Sequence, residues 1–212
     1  MQSRTMSIIL ALAVCISAVL GGYPNRPLLI KSYPGIENIQ SDLYEVYQEP
    51  FTYGIHPSSA VAIIKGEEND IKGEISFLQR HPPTGAVLVK GNFSGLPAGK
   101  HGLHIHQSGD LRNGCKELGG HFNPFLLEHG SPKDGLRHVG DLGNVKAKED
   151  GASEFEFVDP LLSLIGGGRN IVGRAVVITE NEDDLGRGGT AESLTTGSSG
   201  KAIACGVIAY VV

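Results

Sequence analysis

The sequence predicts an all-β domain of eight antiparallel strands folded as a sandwich or barrel. Three observations carry that reading: eight short β-rich runs recur between Gly, Pro and Asp turns, no stretch holds a convincing long helix, and the 30 glycines follow no collagen-like period. A length of 212 residues suits one ordinary domain with an appendage. The mildly acidic balance, 18 Lys+Arg against 23 Asp+Glu, comes without basic runs and argues against nucleic-acid binding.

The appendage comes first. Arg4 precedes an apolar run from Ile8 to Leu20, followed by Gly21 and Gly22. This is the build of a secretory signal peptide over residues 1–21, and about 13 apolar residues are too few to span a bilayer comfortably. Cleavage leaves Cys115 and Cys205, which in an oxidising extracellular compartment read as one disulfide, and no membrane segment remains. Residues 22–58 form a Pro/Tyr-rich extension without a sustained period.

From Ser59 to Val212 the pattern becomes that of strands, at 60–65, 74–79, 86–91, 103–106, 142–147, 153–158, 171–178 and 203–211. In Ser153-Glu154-Phe155-Glu156-Phe157 apolar and polar residues alternate, as one buried sheet face requires. Two connections are long: about 35 residues separate Ile105 from Leu142, and about 24 separate Ile178 from Ile203. Such loops are usually functional and need something to pin them.

Six of the eight histidines lie between positions 101 and 138, and Asp141 follows closely. His104 and His106 share strand parity, so both rings leave one sheet face while Leu103 and Ile105 point to the core. His101 has the opposite parity and reads as structural. His121, His129, His138 and Asp141 add three imidazoles and a carboxylate, a closed four-donor set of the kind structural zinc takes. Asn92-Phe93-Ser94 is an N-glycosylation sequon, with Phe93 expected inward and Asn92 outward.

The runs HGLHIHQSGD, GGHFNP, EHGSPKDGLRHVGDLGN, DDLGRGG and ACGVI resemble the Cu/Zn superoxide dismutase family across residues 59–212. The resemblance implies a Greek-key arrangement and copper and zinc as cofactors. It implies copper ligands at His104, His106 and His121, with His121 shared with zinc, and the other zinc ligands at His129, His138 and Asp141. It also implies that Asp183 links ligand histidines of the two metals, that Cys115 pairs with Cys205 and that superoxide is the substrate; the family often dimerises, and the sequence leaves open whether this chain forms a homodimer.

Two family positions are changed. Thr179 stands where the family has a fourth copper histidine, and Ala202, beside Lys201, stands where it has an arginine at the copper mouth. A hydroxyl is a poor replacement for a strong copper(II) donor, and Lys201 lacks a guanidinium's planar geometry. Two readings follow. One is a secreted superoxide dismutase of reduced activity; the other is a non-catalytic, zinc-stabilised member that binds or buffers copper or serves as a partner-binding module.

Overall fold

The structure, a computed structural model, describes residues 58–67 and 70–211, and the backbone of 28–31 and 45–48. The expected signal-peptide stretch and most of the Pro/Tyr-rich extension lie outside these residues. The chain divides into two compact units. In the first, β1 (Leu28–Lys31) pairs antiparallel with β2 (Glu45–Gln48), a ladder that the extension's composition gave no reason to expect.

The second unit is an eight-stranded antiparallel sheet with β3 at Ser58–Gly66, β4 at Lys72–Gln79, β5 at Val87–Ser94 and β6 at Gly99–Ile105. It continues with β7 at Asp141–Ala147, β8 at Ser153–Asp159, β9 at Ala175–Thr179 and β10 at Ala202–Tyr210. The spatial order is β7-β6-β9-β10-β3-β4-β5-β8. β7 and β8 lie against one another across the remaining gap, so the sheet is a nearly closed barrel. The connections β5–β6 and β8–β9 both cross between non-adjacent strands, which gives the Greek-key topology. Closure leaves little unpaired edge, the usual way an all-β domain avoids edge-to-edge association.

Alternation places the core. In β4, Ile75 and Phe77 point inward; so do Val87, Val89 and Phe93 of β5, while Lys90, Asn92 and Ser94 face out. Leu103 and Ile105 of β6 meet Ile178, Ile208, Ile64 and Val145 in one apolar interior. Fully burying each such side chain contributes about 1.5–3 kcal/mol. The predicted strand at 171–178 starts only at Ala175, because 171–174 turn: Arg174 N–H donates to Ile171 O while its guanidinium lies 3.6 Å over the Phe122 ring. Among the described residues the helices are one 3₁₀ turn, Leu111–Asn113, and one short α1, Ser193–Thr196.

The long β6–β7 loop is fastened to this barrel. Cys115, in the β6–β7 loop, is disulfide-bonded to Cys205 of β10, with a Cα–Cα distance of 5.8 Å. Residues 118–122 run back along the end of β6: Gln107 N–H donates to Gly120 O, Ser108 N–H to Leu118 O, and Phe122 N–H to Ile105 O. The buried Arg137 donates to Asp159 Oδ2 on β8 at 2.6 Å. Because the disulfide spans a sequence separation of 90, chain-entropy arithmetic gives it about 4–5 kcal/mol at the upper end. Cys115→Ser is expected to lower unfolding free energy by several kcal/mol in urea titrations; an unchanged midpoint would show that the loop is held without it.

Candidate metal centre

Backbone pairing brings the histidines together before any side chain is considered. His104 is paired with Val177 of β9 and with Asp141 of β7, next to a register shift between Gly102 and His104. His106, just past the end of β6, forms an isolated bridge with His121. His129 is tied to the second long loop because its N–H donates to Leu194 O at 2.9 Å. His104, His121, His129 and Asp141 are buried, and His106 is half-buried.

The side chains converge in two overlapping clusters, His121–His129–His138–Asp141 and His104–His106–His121. The His104 and His121 rings stack with centroids 4.0 Å apart, and His106 meets His121 edge-on at 5.3 Å. Asp141 Oδ1 lies 2.9 Å from Nδ1 of His121, 2.9 Å from Nδ1 of His129 and 3.1 Å from Nδ1 of His138. Its Oδ2 accepts the backbone N–H groups of Gly130 and His138 at 3.0 and 2.9 Å.

Outer acceptors set the tautomers. His138 Nε2 donates to Leu127 O at 2.9 Å and His106 Nδ1 donates to Gly119 O at 2.7 Å, since a carbonyl can only accept. His104 Nε2 and His129 Nε2 bond the two oxygens of Asp183 at 3.0 and 2.8 Å. In the neutral rings this leaves lone pairs on His104 Nδ1, His106 Nε2, His129 Nδ1 and His138 Nδ1. Two of these nitrogens, on His104 and His106, are buried without a hydrogen bond, while His129 Nδ1 faces Asp141 Oδ1 at 2.9 Å. His121 is the ring shared by both clusters. Nitrogen lone pairs and a carboxylate oxygen crowded together are poorly compensated by one another and well compensated by a divalent cation, so the donor sets fit metal ions. Three nitrogens with one carboxylate oxygen suit zinc, and three imidazoles suit copper.

The protonation equilibria express the same crowding. Burial, with the neighbouring His121, pushes His106 down to about 4; burial, with His104, does the same to His121. Burial also dominates at His104 and lowers it despite Asp183. At His129 burial is outweighed by the hydrogen bonds and charges of Asp141 and Asp183, which raise the ring to about 9. Asp183 falls to about 2 and Asp141 well below the carboxylate range, because their histidine hydrogen bonds together overcome desolvation. In the metal-free protein the proton on His129 thus takes up part of a cation's role.

The loops hold this geometry through residues that sequence reading missed. Arg137 Nη1 donates to His138 O and Asp141 O, both at 3.0 Å, and its other end is anchored on Asp159. Asn144 of β7 grips Asp183 from both sides, donating to its carbonyl and accepting its N–H, each at 2.8 Å. Arg137 adjoins His138 and Asn144 follows Asp141 within one strand, so proximity was the available signal; Asp159 offered none. Gly197, at φ 66°, packs so close that a Cβ would collide with Asp183 Oδ1.

His101 stands outside the clusters, its ring nitrogens 2.9 Å from Thr179 O and 2.8 Å from Pro97 O. Thr179 ends β9 and is the Cα partner of Ala202, so the two residues face each other across one ladder. The Thr179 hydroxyl lies 3.3 Å from both Gly102 O and Asn181 O, and it donates to backbone instead of offering itself to the histidines. A Cβ on Gly102 would sit 2.5 Å from Thr179 Oγ1 and 2.6 Å from His104 Cε1, so only glycine lets this corner close. Asn92 is exposed and Phe93 buried, as alternation predicts.

Two outcomes follow. Asp183→Ala removes the acceptor that orients His104 and His129, and metal affinity by chelator competition is expected to fall about 10–100-fold. In the metal-free protein, His106 and His121 titrate near 4 when folded and near 6.5 when unfolded, so stability should decline as pH drops through that window. His129 acts oppositely: its raised value gives stability that is present below 6.5 and lost as pH climbs towards about 9. The urea midpoint of chelator-treated protein should therefore peak between these windows; a midpoint flat from pH 4 to 9 would contradict the assignment.

Comparison with known proteins agrees with this geometry. The sequence profile of the copper/zinc superoxide dismutase (SODC) family matches residues 71–208. Superoxide dismutase [Cu-Zn] A of Xenopus laevis is 52% identical over 151 residues, covering 71% of this chain and 97% of that protein. Superoxide dismutase [Cu-Zn] 5 of Dictyostelium discoideum is 46% identical over 151 residues, 71% of this chain and 97% of its own length. Superoxide dismutase [Cu-Zn] of Ramazzottius varieornatus is 47% identical over 159 residues, 73% of this chain and 81% of its own. With its profile match, its close relatives and its barrel all in accord, the chain belongs to the Cu/Zn superoxide dismutase family.

Proposed function

We propose that this chain is a secreted superoxide dismutase in which a complete zinc site supports a weakened, three-histidine copper site. The observation that carries this reading is the pair of buried, hydrogen-bond-free nitrogens, His104 Nδ1 and His106 Nε2, converging beside the His121 ring. His121, His129, His138 and Asp141 hold zinc; His104, His106 and His121 hold copper. Copper, when bound, supplies the one-electron exchange with superoxide that ends in dioxygen and hydrogen peroxide. His121 belongs to both donor clusters and, with copper bound, would be the ring able to exchange a proton. Asp183 keeps His104 and His129 in fixed tautomers, and Gly119 O does the same for His106.

Thr179 supplies no fourth nitrogen, so the site favours reduced copper and binds oxidised copper less firmly. Ala202 brings no cation to the mouth, which leaves Lys201 to attract the anion. The disulfide suits an extracellular setting, as does the signal-like N-terminus. Asn92 is placed for glycosylation, and the family's habit of pairing makes a homodimer the working assembly. The inward turn of the Thr179 hydroxyl also favours a second reading, a zinc-stabilised, non-catalytic member that buffers copper or binds a partner.

Metal analysis of the secreted protein, with a superoxide assay before and after copper addition, separates the readings. We expect near-stoichiometric zinc, sub-stoichiometric copper and activity that rises with added copper. Zinc without copper and without activity would establish the second reading. The Thr179→His, Ala202→Arg double variant should raise copper affinity about tenfold or more, along with turnover. Near-diffusion-limited turnover of the unmodified chain would refute an impaired site.

A further inference from the structure

The β6–β7 and β9–β10 loops meet along a seam, and an open groove of about 500 Å³ runs over it. Leu126, Leu127 and Leu136 of the first loop line it together with Leu185 and Leu194 of the second. Three of these side chains are exposed, Leu126 by 90%, Leu136 by 41% and Leu194 by 38%. Contiguous exposed apolar surface marks interaction sites, whereas scattered single residues do not. Two of the leucines also hold a backbone conformation that leucine rarely adopts, with φ 55° at Leu126 and 61° at Leu185. Such strain persists only where surrounding contacts impose it, and it clusters at functional sites.

Those contacts come from both loops. Asn123 clamps the turn that carries Leu126, its Nδ2 donating to Leu127 O at 2.8 Å and its Oδ1 accepting the Leu127 N–H at 3.0 Å. His138 Nε2 donates to the same carbonyl at 2.9 Å. Across the seam, His129 N–H donates to Leu194 O at 2.9 Å, and Arg187 Nη2 donates to the two oxygens of Asp134 at 3.1 and 3.3 Å. The leucines therefore stand on a preformed surface that a partner need not order.

Charge selects the occupant. Arg187 and Asp134 neutralise each other, which leaves Glu128 as the one charge of the lining with no ion pair among the described residues. A second copy on a two-fold axis would bring an identical Glu128 to the same face. An anionic lipid surface would meet that carboxylate and a chain whose formal net charge is −5. We propose that the groove docks a peptide segment of a partner protein, its apolar side chains lying among Leu126, Leu136 and Leu194 and its Lys or Arg facing Glu128. No metal enters this inference, which goes beyond both readings of the metal site and is compatible with either.

A phage-displayed library of random short peptides, selected against the full chain as purified, supplies the probe. Enriched sequences are expected to combine several of Leu, Ile, Phe or Met with Lys or Arg. A synthetic peptide of the enriched sequence, followed by fluorescence anisotropy, should bind saturably and lose about tenfold in affinity against Leu126→Ser and against Glu128→Lys. Its counterpart with Glu in place of Lys or Arg should prefer Glu128→Lys over the unmodified chain, while amide spectra report an intact fold in both variants. No enrichment, enrichment of acidic sequences, or binding indifferent to both substitutions would overturn the proposal. So would self-association, or sedimentation with phosphatidylcholine–phosphatidylserine vesicles, that Leu126→Ser abolishes, because the face would then belong to a second copy or to lipid.

Discussion

Two carboxylates with almost no solvent exposure, Asp141 and Asp183, govern the functional end of this protein. A buried charge must be surrounded by donors or cations, or it costs several kcal/mol. Asp141 meets the requirement by drawing His121, His129 and His138 around one oxygen and two backbone N–H groups around the other. Asp183 meets it by spanning His104 on β6 and His129 in the first long loop. Satisfying these two groups therefore gathers segments up to 79 residues apart. The same requirement makes the cluster receptive to a cation, because the neutral rings offer lone pairs towards it.

The barrel turns this local demand into a rigid geometry. β6 and β9 carry His104 and Thr179 on paired strands, and the disulfide holds the start of the long loop against β10. Arg137 carries the constraint further, since it bonds the carbonyls of His138 and Asp141 while its far end is fixed on β8. Removing one partner of a buried pair such as Arg137–Asp159 would leave the other uncompensated, at about 3–5 kcal/mol. Stability and metal-site geometry are in this way served by the same contacts.

Thr179 and Ala202 are opposite each other on neighbouring strands, at one corner of that frame. The cluster of His121, His129, His138 and Asp141 contains neither of them.

Much of this was legible in the sequence. Period-two alternation is a local property, so all eight strands of the barrel and the inward facing of Phe93 could be read directly. The histidine spacing marked the ligand candidates, and resemblance singled out Asp183, Thr179 and Ala202. Strand limits were less certain: β6 runs back to Gly99, and β9 loses 171–174 to a turn that depends on contacts with Phe122 and Asn170. Tertiary structure alone decided the roles of Arg137, Asp159 and Asn144, the tautomer of each ring, the inward turn of the Thr179 hydroxyl and the leucine groove between the two long loops. These depend on which groups meet across distant segments, and hydrogen-bond satisfaction in a buried space is settled by three-dimensional neighbours that no local pattern encodes.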